Sequence, residues 1–541
     1  MNARKNSSIR ALERRASSGE LKSTFQLYEY YREGKYVEKD SEKANYYAES
    51  ALSLFDSGEL TIESMKMVSF RGFESETIHF NDKDSGKLTA IVGVNGAGKT
   101  AILDALQKGM SWLAKRVSTQ GGTGDLIEES DIKISSEYTS VIVRFSISCG
   151  TTFELEMSRA IEGSNTSRKN SLTEINLLAD MYKLASDKNS GFGLPILACY
   201  SVERATEIKS KDIGQFGQIS NWTRSSKVSG LKGSLNGAAD FKLFFSWFKE
   251  LDDIKNANTS RELELLVSKV KKAFDERVND DPDAAKDESG EALLTLKSQL
   301  ESLRSGLGED GKLKAEKILS TVCDAIYAFL PGVGNLRIQR EPTLDMRIDK
   351  NGTNLSVLQL SQGEKSMLAL VADISRRLVL LNPGHSSPLE GGGVVLIDEI
   401  DLHLHPEWQQ QIIPKLTSTF PNIQFIVTTH SPQVLTTVDS ESIRVLDNGK
   451  IYSAPHGTKG ADSARLLKRV LGVDPRPVDD ENVRDLKEYR DLVYKDKWGE
   501  EEAVKLRRKL DAAFNGEEPE LTELDLYIEN REWEMGIEKD I

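Results

Sequence analysis

The chain has 541 residues, of which 38% are hydrophobic and 29% charged, with 71 lysines and arginines against 85 aspartates and glutamates for a formal net charge of −14. That size holds a large core and predicts several units, while no apolar run approaches the roughly 18 residues of a membrane span and "MNARKNSSIRALERR" lacks the apolar stretch of a secretory leader, so a cytoplasmic protein is expected. The acidic balance argues against a protein that coats nucleic acid by bulk attraction and leaves only a local basic patch for such contact.

The first 60 residues read as helical. Arg10, Arg14 and Arg15 fit a solvated helix face, with phosphate contact as the alternative. The stretch "LYEYYREGKYVEKDSEKANYYAESAL" (27–52) places Gly34 in a turn between two short helices, with Ala44, Tyr47 and Ala51 on the packing side. It resembles one Sel1-type helical-hairpin repeat. A lone repeat cannot bury its own face, so docking on the rest of the chain or on a partner is expected.

Residues 61–204 carry the first chemical signal. Within "LTAIVGVNGAGKT" (88–100), Leu88 to Val92 is a short apolar run suited to a buried parallel strand, and the helical spacing starts at Ala101. Between them Gly93-x4-Gly98-Lys99-Thr100 matches the phosphate-binding P-loop in its strand–loop–helix context. Asn95, Gly96, Ala97 and Gly98 would turn backbone N–H groups onto phosphate oxygens at the positive end of the helix. Lys99 would neutralise the β and γ phosphates, and Thr100 would hold Mg2+. Cys149, Cys199 and Cys323 lie far apart without a CxxC pair, which speaks against a disulfide framework or a cysteine zinc site; they are expected as buried small hydrophobes.

Residues 205–335 read as a helical insertion. "FKLFFSWFKELDDI" is an amphipathic, buried helix, followed by the charged helical segments "SRELELLVSKVKKAFDERV" and "ALLTLKSQLESLRSGL" around an acidic loop, "NDDPDAAKDESGE". Heptads sustained over hundreds of residues are missing, so no long coiled coil is expected.

Residues 336–455 complete the site. "LSQGEKSMLALVADI" (360–374) opens with a Ser-Gln-Gly-Glu cluster and runs into an apolar helix, whose N-terminus is a second anion seat. "GGVVLIDEIDLHLHP" (392–406) holds a buried strand, Val394 to Ile397, ending in Asp398 and Glu399. A carboxylate there sits where such sheets bind ligands, so Asp398 would bind Mg2+ and Glu399 would orient or deprotonate an attacking water. His403 and His405 invite a zinc reading, but no third ligand is evident and a polar strand end before a helix near Pro406 is preferred. "IQFIVTTHSP" (423–432) is a strand ending in His430.

With these segments in this order, residues 61–204 and 336–455 resemble an ABC-type ATPase head of the Rad50/SMC/RecF/OLD group, an α/β fold split into two lobes. The resemblance implies ATP and Mg2+ as ligands and heads that work as dimers. It makes Ser361 and Gly363 the signature residues that contact a γ-phosphate held by a second protomer, Asp401 the D-loop aspartate at that interface, and His430 the switch histidine. It also implies a Q-loop glutamine, for which "LIEESDIKISSEYTSVIVRFSI" offers only Asp131 as a stand-in; Gln107 lies on the helix after the P-loop and is set aside.

Residues 456–541 form a helical tail with neither the length nor the pattern of the Toprim-type nuclease found in OLD proteins, and no HNH or GIY signature occurs elsewhere. The compact head, the Sel1-like leader and the tail sequence "RVLGVDPRP" are similar to the PtuA family of ATPase subunits from Septu-type antiphage systems, in the retron-associated form. That resemblance implies a partner HNH nuclease (PtuB), and a reverse transcriptase with its RNA–DNA hybrid (msDNA) that keeps the nuclease silent. A RecF-like DNA repair ATPase and an ATP-binding scaffold with little turnover stay open as alternatives.

Overall fold

The computed structural model describes residues 2–55, 59–80, 87–164, 168–202, 227–256 and 309–536. The two charged helical segments and the acidic loop expected between 259 and 307 fall outside them. The chain divides into two units, Met1–Ala461 and Asp462–Ile541.

The first unit opens with three helices, α1 (Asn2–Ser17), α2 (Leu21–Glu33) and α3 (Ser41–Leu54). Gly34 ends α2 at φ 73°, a left-handed cap that costs little without a Cβ, and the Asp40 carboxylate caps α3 on the amides of Glu42 and Lys43. Leu27, Tyr31 and Ala44 close a small core, with Tyr47 stacked on Tyr31 at 5.7 Å between ring centroids. The hairpin docks on the rest of the unit: Phe55 meets Tyr182 edge-on at 4.9 Å, and Lys22 pairs with Glu174 at 2.9 Å.

The head then follows as β1 (Leu60–Phe70), β2 (Phe73–His79), β3 (Leu88–Gly93), α4 (Lys99–Ser118), β4 (Tyr138–Ile147), β5 (Thr152–Ala160), α5 (Thr173–Lys188), β6 (Ile196–Tyr200), α6 (Phe241–Asn256) and α7 (Glu309–Phe329). It continues as β7 (Val333–Gln339), β8 (Asp345–Lys350), β9 (Thr353–Ser356), α8 (Gln362–Leu381), β10 (Gly393–Ile397), α9 (Pro406–Thr419), β11 (Ile423–Thr428), α10 (Pro432–Leu435), β12 (Ile443–Asp447) and β13 (Lys450–Ser453). The apolar runs met in sequence become the middle of a six-stranded sheet of order β13-β12-β3-β11-β10-β6, parallel except for β13. Every residue of β3, β6, β10 and β11 is buried, as expected of strands covered on both faces. Carboxyl ends of parallel strands share one edge, which brings segments far apart in sequence to one place.

Beside it stands an antiparallel sheet of order β2-β1-β4-β5, and a third sheet, β7-β8-β9, leads into α8. Gln424, wholly buried in β11, ties the first two sheets together. Its amide accepts from the Ile62 N–H at 2.7 Å and donates to the Ile62 carbonyl at 2.9 Å, where the pairing of β1 with β4 shifts register. Gln424→Leu would leave both groups of Ile62 buried without partners. It is expected to lower the unfolding free energy by about 2–4 kcal/mol in denaturant titration, a loss that a surface glutamine would not produce.

Helix α6 buries Phe244, Phe245, Phe248 and Leu251 along one face, in agreement with its amphipathic sequence. Cys199 is buried in β6, but Cys149 is exposed, against the expectation of a buried thiol, because it sits in the tight turn between β4 and β5. Arg10, Arg14 and Arg15 are exposed on α1. Among the described residues no helix is long and apolar enough to cross a membrane.

The second unit consists of α11 (Ser463–Arg469), α12 (Glu481–Val493), α13 (Glu501–Phe514) and α14 (Pro519–Glu534). Leu486, Tyr489, Val493, Ala503, Leu510, Leu521 and Leu524 form its own core.

Candidate nucleotide-binding site

Strand β3 ends at Gly93 and α4 begins at Lys99, two residues before the start expected from the apolar spacing. The loop's glycines have different causes. A Cβ on Gly93 would lie 2.6 Å from the Leu446 carbonyl oxygen, so packing dictates it, whereas Gly98 is required both by the Phe73 ring 2.8 Å from such a Cβ and by its φ of 104°. Gly96 faces open space and is needed for its φ of 82°. Asn95 and Gly96 are exposed, and the Ala97 N–H bonds back to the Val94 carbonyl at 3.1 Å. The Lys99 ammonium arches over the loop and donates to the carbonyls of Gly93 at 3.0 Å and Val94 at 3.3 Å. Burial pulls its pKa below the usual lysine range, while the carboxylates of Asp398, Glu399 and Asp401 act in the opposite direction.

Asp398 follows β10 and is buried, its N–H held by the Tyr200 carbonyl at 2.8 Å. Its Oδ2 accepts from the Thr100 hydroxyl at 3.2 Å, joining residues 298 positions apart. This donor set fits a magnesium-bound triphosphate: hard oxygens in Thr100 and Asp398 for the cation, and a lysine with backbone amides at the positive end of α4 for the phosphates.

Sequence reasoning passed over the residues that hold these carboxylates. Thr428, the last residue of β11, donates to Asp398 Oδ1 and accepts from the Glu399 N–H at 2.7 Å. Glu399 itself is half-buried and left-handed at φ 45°, a costly state for a non-glycine residue that this hydrogen bond fixes. Thr429 donates to Asp401 at 2.6 Å and accepts from the Ser431 N–H at 3.0 Å. The repeated threonine before His430 was the available signal. Thr428→Val keeps the shape and removes both bonds. ATP turnover, followed as phosphate release, is expected to fall by about 10–100-fold, in line with the loss of groups that orient metal ligands.

His430 is half-buried, two residues beyond the end of β11 and outside the strand it was expected to end. The segment expected as a polar strand end, Asp401–His405, is a turn closed by Leu402 N to Glu399 O at 2.9 Å and Leu404 N to Asp401 O at 3.1 Å. His405 caps α9 by accepting from the Glu407 N–H through Nδ1, and His403 is exposed at φ 63°. Among the described residues no cluster of three His, Cys, Asp or Glu side chains is placed to hold a metal ion.

Ser361 caps α8 in a reciprocal arrangement, with its hydroxyl and N–H both on Glu364 at 2.8 and 2.9 Å. Burial opposes ionisation of Glu364, but Lys350 at 2.6 Å and Ser361 outweigh it and hold the carboxyl below its usual range. Gly363 is pressed against the turn after Asp401, where a Cβ would come within 2.5 Å of the His403 carbonyl oxygen. Ser361 is exposed, and within the protomer no hydrogen bond among the described residues joins Ser361 or Gly363 to the P-loop. The chain therefore presents two separate candidate half-sites, Lys99, Thr100 and Asp398 in one and Ser361 and Gly363 in the other.

The Asp131 expectation is corrected. Its carboxylate is buried and committed to Arg71 at 2.9 Å, to Lys108 and to the Glu128 N–H at 3.0 Å. Burial raises its pKa, but these donors outweigh that and hold it below the usual range. It is a structural anion that braces α4 through Lys108, and Gln107 is likewise spent on the Leu235 carbonyl. The chain segment that ends beside Asp398 is instead β6, where Tyr200 precedes Ser201, whose hydroxyl donates to the Gly237 carbonyl at 3.0 Å.

Comparison with known proteins agrees with this geometry. The AAA ATPase domain family matches residues 61–435. The retron Ec83 probable ATPase of Escherichia coli is 41% identical over 99% of both chains. The retron Vc95 probable ATPase of Vibrio cholerae serotype O1 biovar El Tor is 34% identical, covering 91% of this chain and 95% of its own. The Septu protein PtuA of Bacillus mycoides (strain KBAB4) is 44% identical over 90 residues, 16% of this chain and 12% of its own. The chain therefore belongs to the AAA ATPase domain family, with the retron-associated, PtuA-like ATPases as its relatives.

Proposed function

We propose that this chain is the ATP-hydrolysing subunit of a cytoplasmic retron-type antiphage complex. In this reading it controls a partner HNH nuclease that a reverse transcriptase and its RNA–DNA hybrid keep silent. The observation that carries the nucleotide part is the 3.2 Å contact of Thr100 with Asp398 beside a buried Lys99. Similarity to two retron ATPases over nearly the whole chain supports the defence part.

Two protomers face each other head to head. Lys99 and Thr100 of one then lie opposite Ser361 and Gly363 of the second, which explains why the two half-sites do not meet within one chain. Magnesium, which Thr100 and Asp398 would hold, would supply positive charge at the transferred phosphoryl group. Lys99 leaves the Gly93 and Val94 carbonyls to neutralise phosphate oxygens, and Glu399, fixed by Thr428, orients or deprotonates the attacking water. Asp401 reaches across the interface, and His430 senses the transferred group. Closure biases the attached helical segments, which hold or release the nuclease.

The test combines mass and partnership. Mg-ATP is expected to shift the wild-type protein towards a head-to-head dimer in light scattering, and Lys99→Ala to abolish the shift. Expressed with its genomic neighbours, the chain is expected to co-purify at fixed stoichiometry with an HNH nuclease and a reverse transcriptase. DNA-stimulated hydrolysis with no co-purifying nuclease would favour a repair ATPase instead.

A further inference from the structure

A second cleft lies away from the nucleotide site, walled by the C-terminal half of α2, the C-terminal end of α4 and α5 from Asn176 to Asp187, with a volume of 620 Å³. Pockets of about 300–1,000 Å³ are the size that takes small ligands. Its polar groups are unevenly spent. Arg32 is committed to Glu33 at 2.8 Å and to the Tyr28 hydroxyl at 3.2 Å, and Lys183 to Asp180 at 3.1 Å. Apart from the exposed side chains of Gln120 and Asp187, three groups remain. The Arg116 Nε–H is buried without an acceptor, Asn176 Oδ1 is buried without a donor, and among the described residues the Glu29 carboxylate receives no hydrogen bond.

The remaining groups ask for opposite things. Glu29 faces α5 across the cleft, where burial and then the Asp180 carboxylate raise its pKa, so a cationic donor placed between the two would relieve both effects. Asn176 Oδ1 asks for a further N–H, and the last turn of α4 adds partial negative charge on the same side. Arg116 asks for an anionic acceptor. A buried donor or acceptor left unmade costs about 1–3 kcal/mol, so a ligand that supplies both kinds of partner at once gains where a singly charged one does not.

We propose that this cleft is a binding site for a small zwitterion that carries an ammonium and a carboxylate on one short frame, as amino acids and short peptides do. The ammonium binds between Glu29 and Asn176 Oδ1, and the carboxylate binds Arg116. The site lies at the far end of the helix that begins with Lys99 and Thr100, a rigid rod of about 30 Å between ligand and P-loop.

Calorimetric titration of the full-length protein tests this with glycine, glutamine, glutamate and lysine, their dipeptides, and two half-ligands, butylamine and butyrate. At least one zwitterion is expected to saturate with a Kd of about 1 mM or tighter, with both half-ligands at least about tenfold weaker. Whether free amino acids or dipeptides bind best identifies the source. Glu29→Gln and Asn176→Leu are each expected to weaken that zwitterion about tenfold. If either variant fails to fold, the half-ligand comparison on the wild type still decides. The proposal is overturned if no probe saturates at about 10 mM, meaning that the cleft holds solvent only, if a half-ligand binds as tightly as the zwitterion, or if folded variants bind like the wild type.

Discussion

Glu399→Gln is expected to lower the steady-state rate of ATP hydrolysis by about 100-fold or more while leaving nucleotide affinity within about threefold of wild type, because a positioned general base contributes about 10²–10⁴-fold. The substitution is nearly isosteric. The backbone at this residue is held from outside, by the Thr428 hydroxyl on its N–H at 2.7 Å, and the strained φ of 45° belongs to the turn. The amide therefore occupies the carboxylate's place but cannot accept a proton. Asp398, Thr100 and Lys99, which would build the proposed phosphate and cation seat, keep their contacts. Single-turnover phosphate release with equilibrium binding of a fluorescent ATP analogue separates the two effects. A parallel fall in rate and affinity would mean that Glu399 binds rather than reacts. An unchanged rate would remove it from the chemistry, whereas lost hydrolysis with unchanged phage protection would favour a scaffold with idle turnover.

What sequence could and could not reveal here follows from contact range. The P-loop was legible because its parts are contiguous: a wholly buried strand, glycines and a capped helix within residues 88–118. The position of Asp398 at the end of a buried strand was legible because four apolar residues precede it and β10 is buried throughout. The placement of β11 between β3 and β10 was not, since no local pattern encodes which parallel strands pair. For Thr428 the Thr-Thr pair before His430 was a signal, but which carboxylates it meets was not, because only the fold sets it beside Asp398 and Glu399. Asp131 misled in the opposite way. An acid near a family position looked like a metal ligand, and only the fold shows Arg71 and Lys108 consuming it. Cys149 was misjudged because residue type predicts burial only on average, and a hairpin turn overrides it.

The largest stability effect is expected at Asp373, on the α8 helix that Ser361 caps. Its carboxylate is wholly buried and accepts from Arg376 at 2.8 Å, Arg377 at 2.8 Å and the Tyr200 hydroxyl at 3.0 Å. Arg377, itself 1% exposed, also donates to the carbonyls of Gly230 and Lys232 at 2.8 and 3.1 Å. Asp373→Asn keeps the shape and one acceptor but leaves two buried guanidinium groups without a countercharge. Breaking one side of a buried pair costs about 3–5 kcal/mol, so a comparable loss in unfolding free energy is expected from denaturant titration. Acid supplies an independent sign. Burial alone would raise the Asp373 pKa, but the two arginines outweigh it and hold it below its ordinary 3.8. A depressed carboxylate contributes stability that is complete above the unfolded-state pKa and is lost as pH falls through the folded one. The wild type should therefore lose this advantage only below about pH 4, and the two proteins' stabilities should converge there. Replacing Asp373, Arg376 and Arg377 together by Leu, Met and Met removes the stranded charges, and it is expected to recover part of the loss. The recovery stays incomplete because the Gly230 and Lys232 carbonyls lose their donor. If the triple variant is no more stable than Asp373→Asn, the cost lies in packing of α8 against β6 rather than in uncompensated charge.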